Sequence, residues 1–293
     1  MFLVTGPTGN TGRMVLEGLS ALGLPVTAMV RSDERQHTLE AGGFTTVRGD
    51  FRDPASLRAA LDGVETAYLV CTPDERLVDA ERAFIAAARD AGVQRLVKCG
   101  AHSASHQAGS PNLRMHAVVE DALRASGLAY TIVRPHGFMQ TFFWMSAPLV
   151  MEHGILAFPG GEGRIPLIDL RDVGAAMLAA LTQPGHEGRE YDLTGPELLS
   201  GARMAEALSA ALGRPIHYMD APESQLDAAM RQFGVPDAPR EHVLWAFREQ
   251  RAGHFDTLSH GHEALGVRLR TYDDFARDLA AGQSGSATSD FSR

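Results

Sequence analysis

The 293-residue chain has few cysteines, no long apolar run and no excess of positive charge. Its two cysteines, Cys71 and Cys99, exclude a disulfide framework, and neither lies in a CxxC pair or beside an obvious base. The sequence has no charged-then-apolar leader, and no apolar run approaches the roughly 18 residues of a membrane helix. A net charge of −9 makes nucleic acid and anionic membranes poor partners. These absences predict a cytoplasmic protein that binds neither nucleic acid nor membranes.

The most informative residues are the first thirteen, in which a short apolar strand leads into a GxxGxxG turn and then a helix. The glycines are Gly6, Gly9 and Gly12. Glycine permits positive φ and a close backbone approach to a ligand, and the start of a helix offers free N–H groups and a partial positive charge. A simple turn is the alternative, but the order of strand, glycines and helix favours a dinucleotide-binding site.

The residue that ends the second predicted strand bears on which dinucleotide is bound. In a doubly wound sheet this position faces the adenosine ribose, where an acidic residue favours NAD and a cation favours the extra phosphate of NADP. Arg31 stands there, with Asp33 and Glu34 close by and Arg35 able to assist. The chain is therefore predicted to bind NADP(H), with an exposed arginine at a strand end as the alternative interpretation.

Alternating strand-like and helix-like segments predict an α/β fold, a Rossmann-type doubly wound parallel sheet with a smaller, mostly helical C-terminal substrate region. We expect a dinucleotide-binding domain over residues 1–150, a substrate-binding region over 151–281 and a disordered tail over 282–293. The strand near 190–193 is expected to return to the first domain. The predicted sheet strands are Phe2 to Thr5, Val26 to Val30, Thr45 to Arg48, Thr66 to Cys71, Arg95 to Cys99, Tyr130 to Arg134 and Glu190 to Leu193. Short strands are expected around Gly154 to Phe158 and Arg164 to Ile168.

Five segments of the chain resemble the NmrA-like family of atypical short-chain dehydrogenases/reductases, which includes NADPH-dependent quinone, azo-dye and triphenylmethane reductases. They are TGPTGNTG at 5–12, VRSDER at 30–35, VRGDF at 47–51, MHAVVEDALRASGLAYTIVRPHGFMQTFF at 115–143 and IDLRDVGAAMLAAL at 168–181. The resemblance covers nearly the whole chain.

The resemblance implies a set of cofactor contacts along the carboxyl edge of the sheet. Arg31 would bind the adenosine phosphate. Asp50 and Phe51 would border the adenine, although Asp50 is equally well interpreted as an N-cap or turn residue. The diphosphate would lie on Gly6, Thr8, Gly9, Asn10 and Thr11, with Gly12 completing the turn, and the nicotinamide-side ribose would lie beside Cys71, Thr72 and Pro73.

The chain lacks the Tyr-x-x-x-Lys pair of conventional short-chain dehydrogenases and has Asn112 and His116 at the matching positions. A tyrosine with a pKa near 10 needs a neighbouring lysine to pass protons at neutral pH, whereas a histidine with a pKa near 6.5 does not. His116 is therefore the candidate proton donor or nicotinamide-ribose contact. A structural histidine at a helix start is the alternative.

The substrate is expected beside the nicotinamide, under the aromatic segment 137–145. Flat apolar side chains in this segment suit a planar, weakly charged acceptor, although they would equally explain packing of the appended region. Loop histidines that follow the fifth and sixth strands would line a polar rim. No carboxylate or cysteine completes a ligand set at recognisable spacing, so no metal is predicted. The predicted substrate-binding residues are His102, His136, Phe138, Met139, Phe142 and Trp144.

These observations predict an NADPH-dependent reductase that transfers a hydride to a quinone-like or conjugated carbonyl aromatic compound. The missing Tyr/Lys pair leaves open a second class, a non-catalytic NADP(H)-binding redox sensor. A dedicated reductase or epimerase of one aromatic biosynthetic intermediate is a third possibility. A homodimer is compatible with the sequence.

Overall fold

The structure of the chain, a computed structural model, describes residues 1–72 and 74–282. The strands are β1 (Phe2–Val4), β2 (Val26–Val30), β3 (Thr45–Arg48), β4 (Thr66–Leu69), β5 (Arg95–Cys99), β6 (Ala129–Pro135), β7 (Ile155–Phe158), β8 (Arg189–Leu193) and β9 (His217–Asp220). The helices are α1 (Asn10–Ala21), α2 (Asp33–Ala41), α3 (Pro54–Ala60), α4 (Leu77–Asp90), α5 (Pro111–Arg124), α6 (Met139–His153), α7 (Leu170–Thr182), α8 (Gly201–Leu212), α9 (Glu223–Gln232), α10 (Asp237–Arg251), α11 (Gly261–Ala264) and α12 (Tyr272–Ala280). In this part of the chain, none of the helices combines the length and the apolar character that crossing a bilayer requires.

Seven strands form one sheet in the order β3-β2-β1-β4-β5-β6-β8. The pairs from β3 to β6 are parallel, and Leu3 of β1 lies opposite Thr27 on one side and Ala67 on the other. Leu3 and Val4 are wholly buried, as expected for a parallel strand covered on both faces. The strand order changes direction between β1 and β4, and open α/β sheets bind ligands at the carboxyl ends of the strands beside such a point. The predicted fold class is confirmed.

The chain divides into two compact units that differ in their boundaries from the predicted domains. The first comprises residues 1–134, 173–192 and 261–267, and the second comprises 135–172, 193–260 and the described residues from 268 onward. The sheet strand β8 lies mainly in the first unit, together with helix α7. The assignment of substrate binding to the second unit stays a prediction, and residues 283–293 of the predicted disordered tail lie outside the described residues.

Each unit has its own apolar core. In the first, the core includes Leu3, Leu69, Phe84 and Leu96, which bring the sheet and helix α4 together. In the second, the first turns of α6 pack on the β7–β9 sheet and on helices α8 and α12. Its core side chains include Met139, Phe143, Phe158, Met204, Leu208, Phe247, Tyr272 and Phe275.

The second unit departs from the sequence-based expectations in three places. Residues 164–168 form single bridges, Ile165 with Leu199 and Phe138 with Ile168, and no continuous strand. Strand β9 was not predicted, because its residues are mostly exposed and carry no apolar alternation. The aromatic segment 137–145 leads into helix α6, which is apolar around much of its circumference and so lacks the one-sided periodicity of a surface helix.

Candidate functional site

The glycine turn after β1 has the geometry of a phosphate cradle. Gly6 has φ of +56°, and its carbonyl accepts from the amide of Gly9 at 3.0 Å. A Cβ on Gly12 would lie 2.1 Å from the carbonyl oxygen of Gly6, so any side chain there would push the helix away from the turn. A Cβ on Gly9 would reach that oxygen only at ordinary contact distance, 3.4 Å. The third glycine is therefore required by packing and the first by backbone conformation.

Helix α1 begins in this turn without a side chain that caps it. Its N-cap residue is Gly9, and its first turn contains no acidic residue. The amides of Asn10, Thr11 and Gly12 thus have no intrahelical acceptor, and the helix dipole adds a partial positive charge. Such a helix start binds an anionic group through its backbone.

A cavity of about 220 Å³ opens beside the turn. Its walls come from the ends of β1, β2, β3 and β4, which the parallel sheet brings to one edge. Its volume is below the 300–1,000 Å³ typical of a whole small-molecule site, so it would hold part of a dinucleotide. Of the predicted cofactor contacts it brings together Gly6, Thr8, Arg31, Asp50, Phe51, Cys71 and Thr72. Pro73 lies outside the described residues.

Arg31 lies in the cavity wall, as does Arg35 from the first turn of α2. Neither arginine forms an ion pair with any residue that the structure describes. Asp33 is paired instead with Arg48 at 3.1 Å, so one of the two nearby carboxylates that could favour NAD is already engaged. Two exposed guanidinium groups are therefore available to a phosphate at this end of the cavity.

Two Asp-x-Arg pairs complete the charged wall. Asp50 accepts from Arg52 through both oxygens, at 3.0 and 2.6 Å, and this bond lowers the pKa of Asp50 to about 2. Asp74 likewise accepts from Arg76 at 2.5 Å, and that bond lowers its pKa, with the charge of Arg31 acting in the same direction on both carboxyls. Both aspartates are therefore ionised and already paired. Asp50 fits the turn interpretation, since its backbone also binds Ser56.

The remaining wall is less polar. Phe51 packs edge-on against Phe84, with ring centroids 5.6 Å apart, and presents a fixed aromatic surface to the cavity. Cys71 is a partly buried thiol whose pKa is raised to about 11 by burial and by the charges of Glu81 and Asp74. A thiol with that pKa is protonated at neutral pH, so Cys71 contributes contact surface and no nucleophile.

His116 lies on α5 next to a buried ion pair that sequence reasoning missed. Lys98 of β5 and Glu81 of α4 have no exposed surface, and their charged atoms are 2.5 Å apart. Lys98 Nζ is also 3.5 Å from Nδ1 of His116, which is 7% exposed. Asn112, one turn earlier on α5, is buried as well. A signal for this cluster was present, because a lysine within an apolar strand is rarely buried without a partner.

The other histidines have local partners. His102 Nδ1 lies 2.8 Å from the hydroxyl of Ser103, and burial lowers the pKa of the imidazole. His136 Nδ1 accepts from the amide of Gly137 at 2.7 Å, and its ring packs edge-on against Phe255. Both rings are therefore held in defined orientations. Their role in substrate binding stays a prediction.

The aromatic segment 137–145, which was predicted to lie over the substrate, belongs largely to the core of the second unit. Met139 is wholly buried in that core. Phe142 packs against Phe158 and Phe247, with ring centroids 6.0 and 5.3 Å away, and Trp144 packs against Phe143 at 5.4 Å. Phe138 is half-buried at the start of α6. Packing thus accounts for much of this segment, and the substrate contacts predicted for Phe138, Met139, Phe142 and Trp144 stay a prediction.

Arg52 and Arg76 were also missed by sequence reasoning. Each follows an aspartate by two residues, after β3 and β4 respectively, and both line the cavity. The repeated Asp-x-Arg pattern at neighbouring strand ends was a signal that could have identified them.

Known proteins are similar to this chain along nearly its whole length. The model of the NmrA-like family matches residues 1–276. An NAD(P)H azoreductase of Xenophilus azovorans is 38% identical over 287 residues, which cover 96% of this chain and 98% of that protein. A (4-alkanoyl-5-oxo-2,5-dihydrofuran-3-yl)methyl phosphate reductase of Streptomyces griseus is 37% identical over 86% of this chain and 88% of its own length.

A solved structure provides a further comparison. It is the NADPH-dependent quinone oxidoreductase of Escherichia coli in complex with NADPH, which is 27% identical and superposes with a TM-score of 0.83. The alignment covers 95% of this chain and 99% of that chain.

Proposed function

Because the chain belongs to the NmrA-like family, we propose that it is an NADPH-dependent reductase of quinone-like and conjugated carbonyl compounds. The observation that carries the proposal is a cavity at the strand ends. It is lined by two arginines that have no ion pair among the described residues and by Gly6 and Thr8, which lead into an uncapped helix start. The helix start suits a diphosphate and the arginines suit the additional phosphate that distinguishes NADPH from NADH. The azo, enone-like and quinone substrates in the names of the relatives support an electron-poor acceptor.

The glycine turn fits the diphosphate of NADPH. Gly6, Thr8 and Gly9 would bring backbone close to it, and the first amides of α1, from Asn10 to Gly12, would donate hydrogen bonds. The close approach of Gly12 to the turn leaves this backbone surface uncovered by side chains.

The rest of the cavity fits the two nucleoside ends of the cofactor. Arg31, assisted by Arg35, would bind the adenosine phosphate, and Phe51 would border the adenine. Cys71 and Thr72 would lie along the nicotinamide-side ribose. Asp50 already accepts hydrogen bonds from Arg52, so it would hold Arg52 in the cavity wall and would not accept a hydrogen bond from the adenine.

In the proposed reaction the protein positions the acceptor, and one proton must reach the acceptor after hydride transfer. When bound, NADPH would supply a hydride, which is a hydrogen nucleus with two electrons, and would thereby become NADP⁺. The acceptor's carbonyl oxygen gains the negative charge and must then take up a proton. His116 is the side chain proposed to contact that oxygen or the nicotinamide ribose. Half-buried aromatic surfaces of Phe138, Phe142 and Trp144, together with His102 and His136, are the proposed acceptor contacts.

The test is NADPH oxidation against a panel of quinones, enones and azo dyes, with His116→Ala and the exposed control His153→Ala. We expect turnover of several quinone-like acceptors, a loss of kcat in His116→Ala and no change in the control. Unchanged turnover in His116→Ala would remove that residue from the mechanism. Tight NADP(H) binding without consumption of any acceptor would replace the reductase with a redox sensor.

A further inference from the structure

A lysine and a glutamate in the interior of the first unit bear on how His116 works. Lys98 interrupts the apolar strand β5, and Glu81 lies on the buried face of α4. Both side chains have 0% exposure. Burial of such groups carries a desolvation cost, and an apolar pair of similar volume is often as stable, so the pair is unlike the rest of this core.

The amine of Lys98 has an acceptor for each of its hydrogens. Glu81 Oε2 lies at 2.5 Å, the carbonyl oxygen of Cys99 at 3.1 Å and Nδ1 of His116 at 3.5 Å. An ammonium group has three hydrogens and no lone pair, so a charged Lys98 can only donate to these three atoms. The imidazole of His116 is therefore one of the three hydrogen-bond partners of the Lys98 amine.

The proton arrangement of His116 follows from this contact. If the pair is ionised, the ammonium donates to Nδ1. If the proton has moved to Glu81, the carboxyl group occupies the lone pair of the amine, and the remaining N–H groups still face Cys99 and His116. Nδ1 accepts in both cases, so the single proton of a neutral imidazole is on Nε2. A positive charge on Lys98 further disfavours a second positive charge on the ring.

We propose that Lys98, anchored by Glu81, holds His116 as a neutral imidazole protonated at Nε2, which donates a hydrogen bond to the acceptor oxygen and is not an ionised acid. The role at the acceptor rests on the proposed function, whereas the tautomer does not. The oxygen that becomes negative on hydride transfer would be stabilised by the Nε2–H group, a role in which a neutral histidine polarises a carbonyl. The proton that completes the product then comes from water. Lys98 and Glu81 are positioning residues.

Three ionisable groups on the elements next to the cluster are either uncharged or already paired. Burial raises the pKa of the Cys99 thiol on β5 and of the Tyr68 phenol on β4, so both are neutral at pH 7. Glu120, one turn further along α5, is engaged by Arg134 of β6 at 2.6 Å. Burial also raises the pKa of Glu81, which Lys98 opposes.

The test is nitrogen-15 NMR of the full-length protein labelled at histidine, because long-range proton–nitrogen correlations distinguish the two tautomers and the imidazolium. The chain has 12 histidines, and the spectrum of His116→Gln identifies the signals of His116. We expect an unprotonated Nδ1 and a protonated Nε2 from about pH 6 to 8, a range in which a free histidine loses its charge. The opposite tautomer, or an imidazolium in that range, would overturn the proposal.

Two variants assign the effect to the lysine. Lys98→Met combined with Glu81→Gln removes both charges together, which avoids an unpaired buried ion. In this double variant we expect His116 to lose its fixed tautomer. We also expect the kcat of the variant to gain an inflection with pH. The exposed control Arg89→Met on the same helix keeps the buried pair and should keep the wild-type tautomer. An unchanged tautomer in the folded double variant would show that Lys98 does not control it.

The wild-type spectrum decides the tautomer even if a variant does not fold. The same spectrum also decides the tautomer if the enzyme turns over no acceptor. Failure of the proposed function is therefore distinguishable from failure of this inference. Where turnover is found, a kcat of the wild type that is flat over the same pH range supports the neutral donor. A fall in kcat with an inflection near the ordinary pKa of histidine would favour an ionised acid instead.

Discussion

Replacing Arg31 with alanine should weaken the binding of NADPH and leave the binding of NADH nearly unchanged. Arg31 lines the cavity, is exposed and has no ion-pair partner among the described residues, so the substitution removes a cation without releasing a carboxylate. The neighbouring Asp33 stays paired with Arg48. The loss should therefore fall on the one phosphate that only NADPH carries.

The size of the effect follows from the strength of a charged hydrogen bond, about 1.5–3 kcal/mol, which corresponds to roughly ten- to a hundredfold in affinity. The exposure of Arg31 favours the lower end at about 0.15 M salt, because screening weakens exposed charges. Arg35 lines the same cavity and would retain part of the preference. The effect should therefore grow at low salt and in the double substitution of both arginines.

The assay is titration calorimetry of the wild type and of Arg31→Ala with NADPH and NADH. Arg58→Ala is the matched control, since Arg58 is an exposed arginine of α3 outside the cavity wall and its loss changes the net charge equally. We expect the NADPH/NADH affinity ratio to fall only in Arg31→Ala. An unaltered ratio, or an equal fall in the control, would refute the phosphate assignment.

Three further outcomes follow from the geometry of the cavity. Gly12→Ala should abolish NADPH binding in calorimetry whereas Gly9→Ala retains it, because only the first adds a Cβ closer to a backbone oxygen than van der Waals contact allows. The pKa of Asp50, lowered to about 2 by Arg52, gives a contribution to stability that is fully present above about pH 4 and is lost as the pH falls toward 2. In urea unfolding, Asp50→Asn should therefore cost at most about 1 kcal/mol at neutral pH, since Arg52 is exposed, and nothing at a pH well below 2. Alkylation of Cys71, followed by mass spectrometry, should rise roughly tenfold per pH unit up to its pKa of about 11, and a plateau near pH 8 would contradict a buried, protonated thiol.

The fold and the cofactor turn were predictable because their causes are local in sequence. Apolar runs bounded by glycine define the strands, and Gly12 is required by its close approach to the carbonyl of Gly6, six residues earlier. The Asp53-Pro54 start of α3 is likewise a capping side chain followed by a residue with a preset φ. Each of these features can be identified without knowing which strands are neighbours.

Features that depend on packing between distant segments were not predictable in the same way. Strand β9 is formed by pairing with β7, and its own residues are mostly exposed. The predicted strand at 164–168 instead makes single bridges to residues far along the chain. Met139 has the apolar character of a substrate contact, but only the assembled second unit shows that it is buried. In all three cases the structure depends on a distant partner segment that the sequence pattern does not identify.

The cluster at His116 joins both kinds of information. The position of His116 followed from the family pattern, but its protonation depends on Lys98, which is 18 residues away, and Lys98 depends on Glu81, 17 residues earlier. Helix α4 packs on α5, and this contact brings the glutamate to the strand end. A sequence pattern identifies a histidine as a proton donor from its ordinary pKa, whereas the structure places the amine of Lys98 3.5 Å from its Nδ1 atom. The residue type alone therefore does not fix the protonation state of an ionisable group, because that state depends on the neighbouring groups.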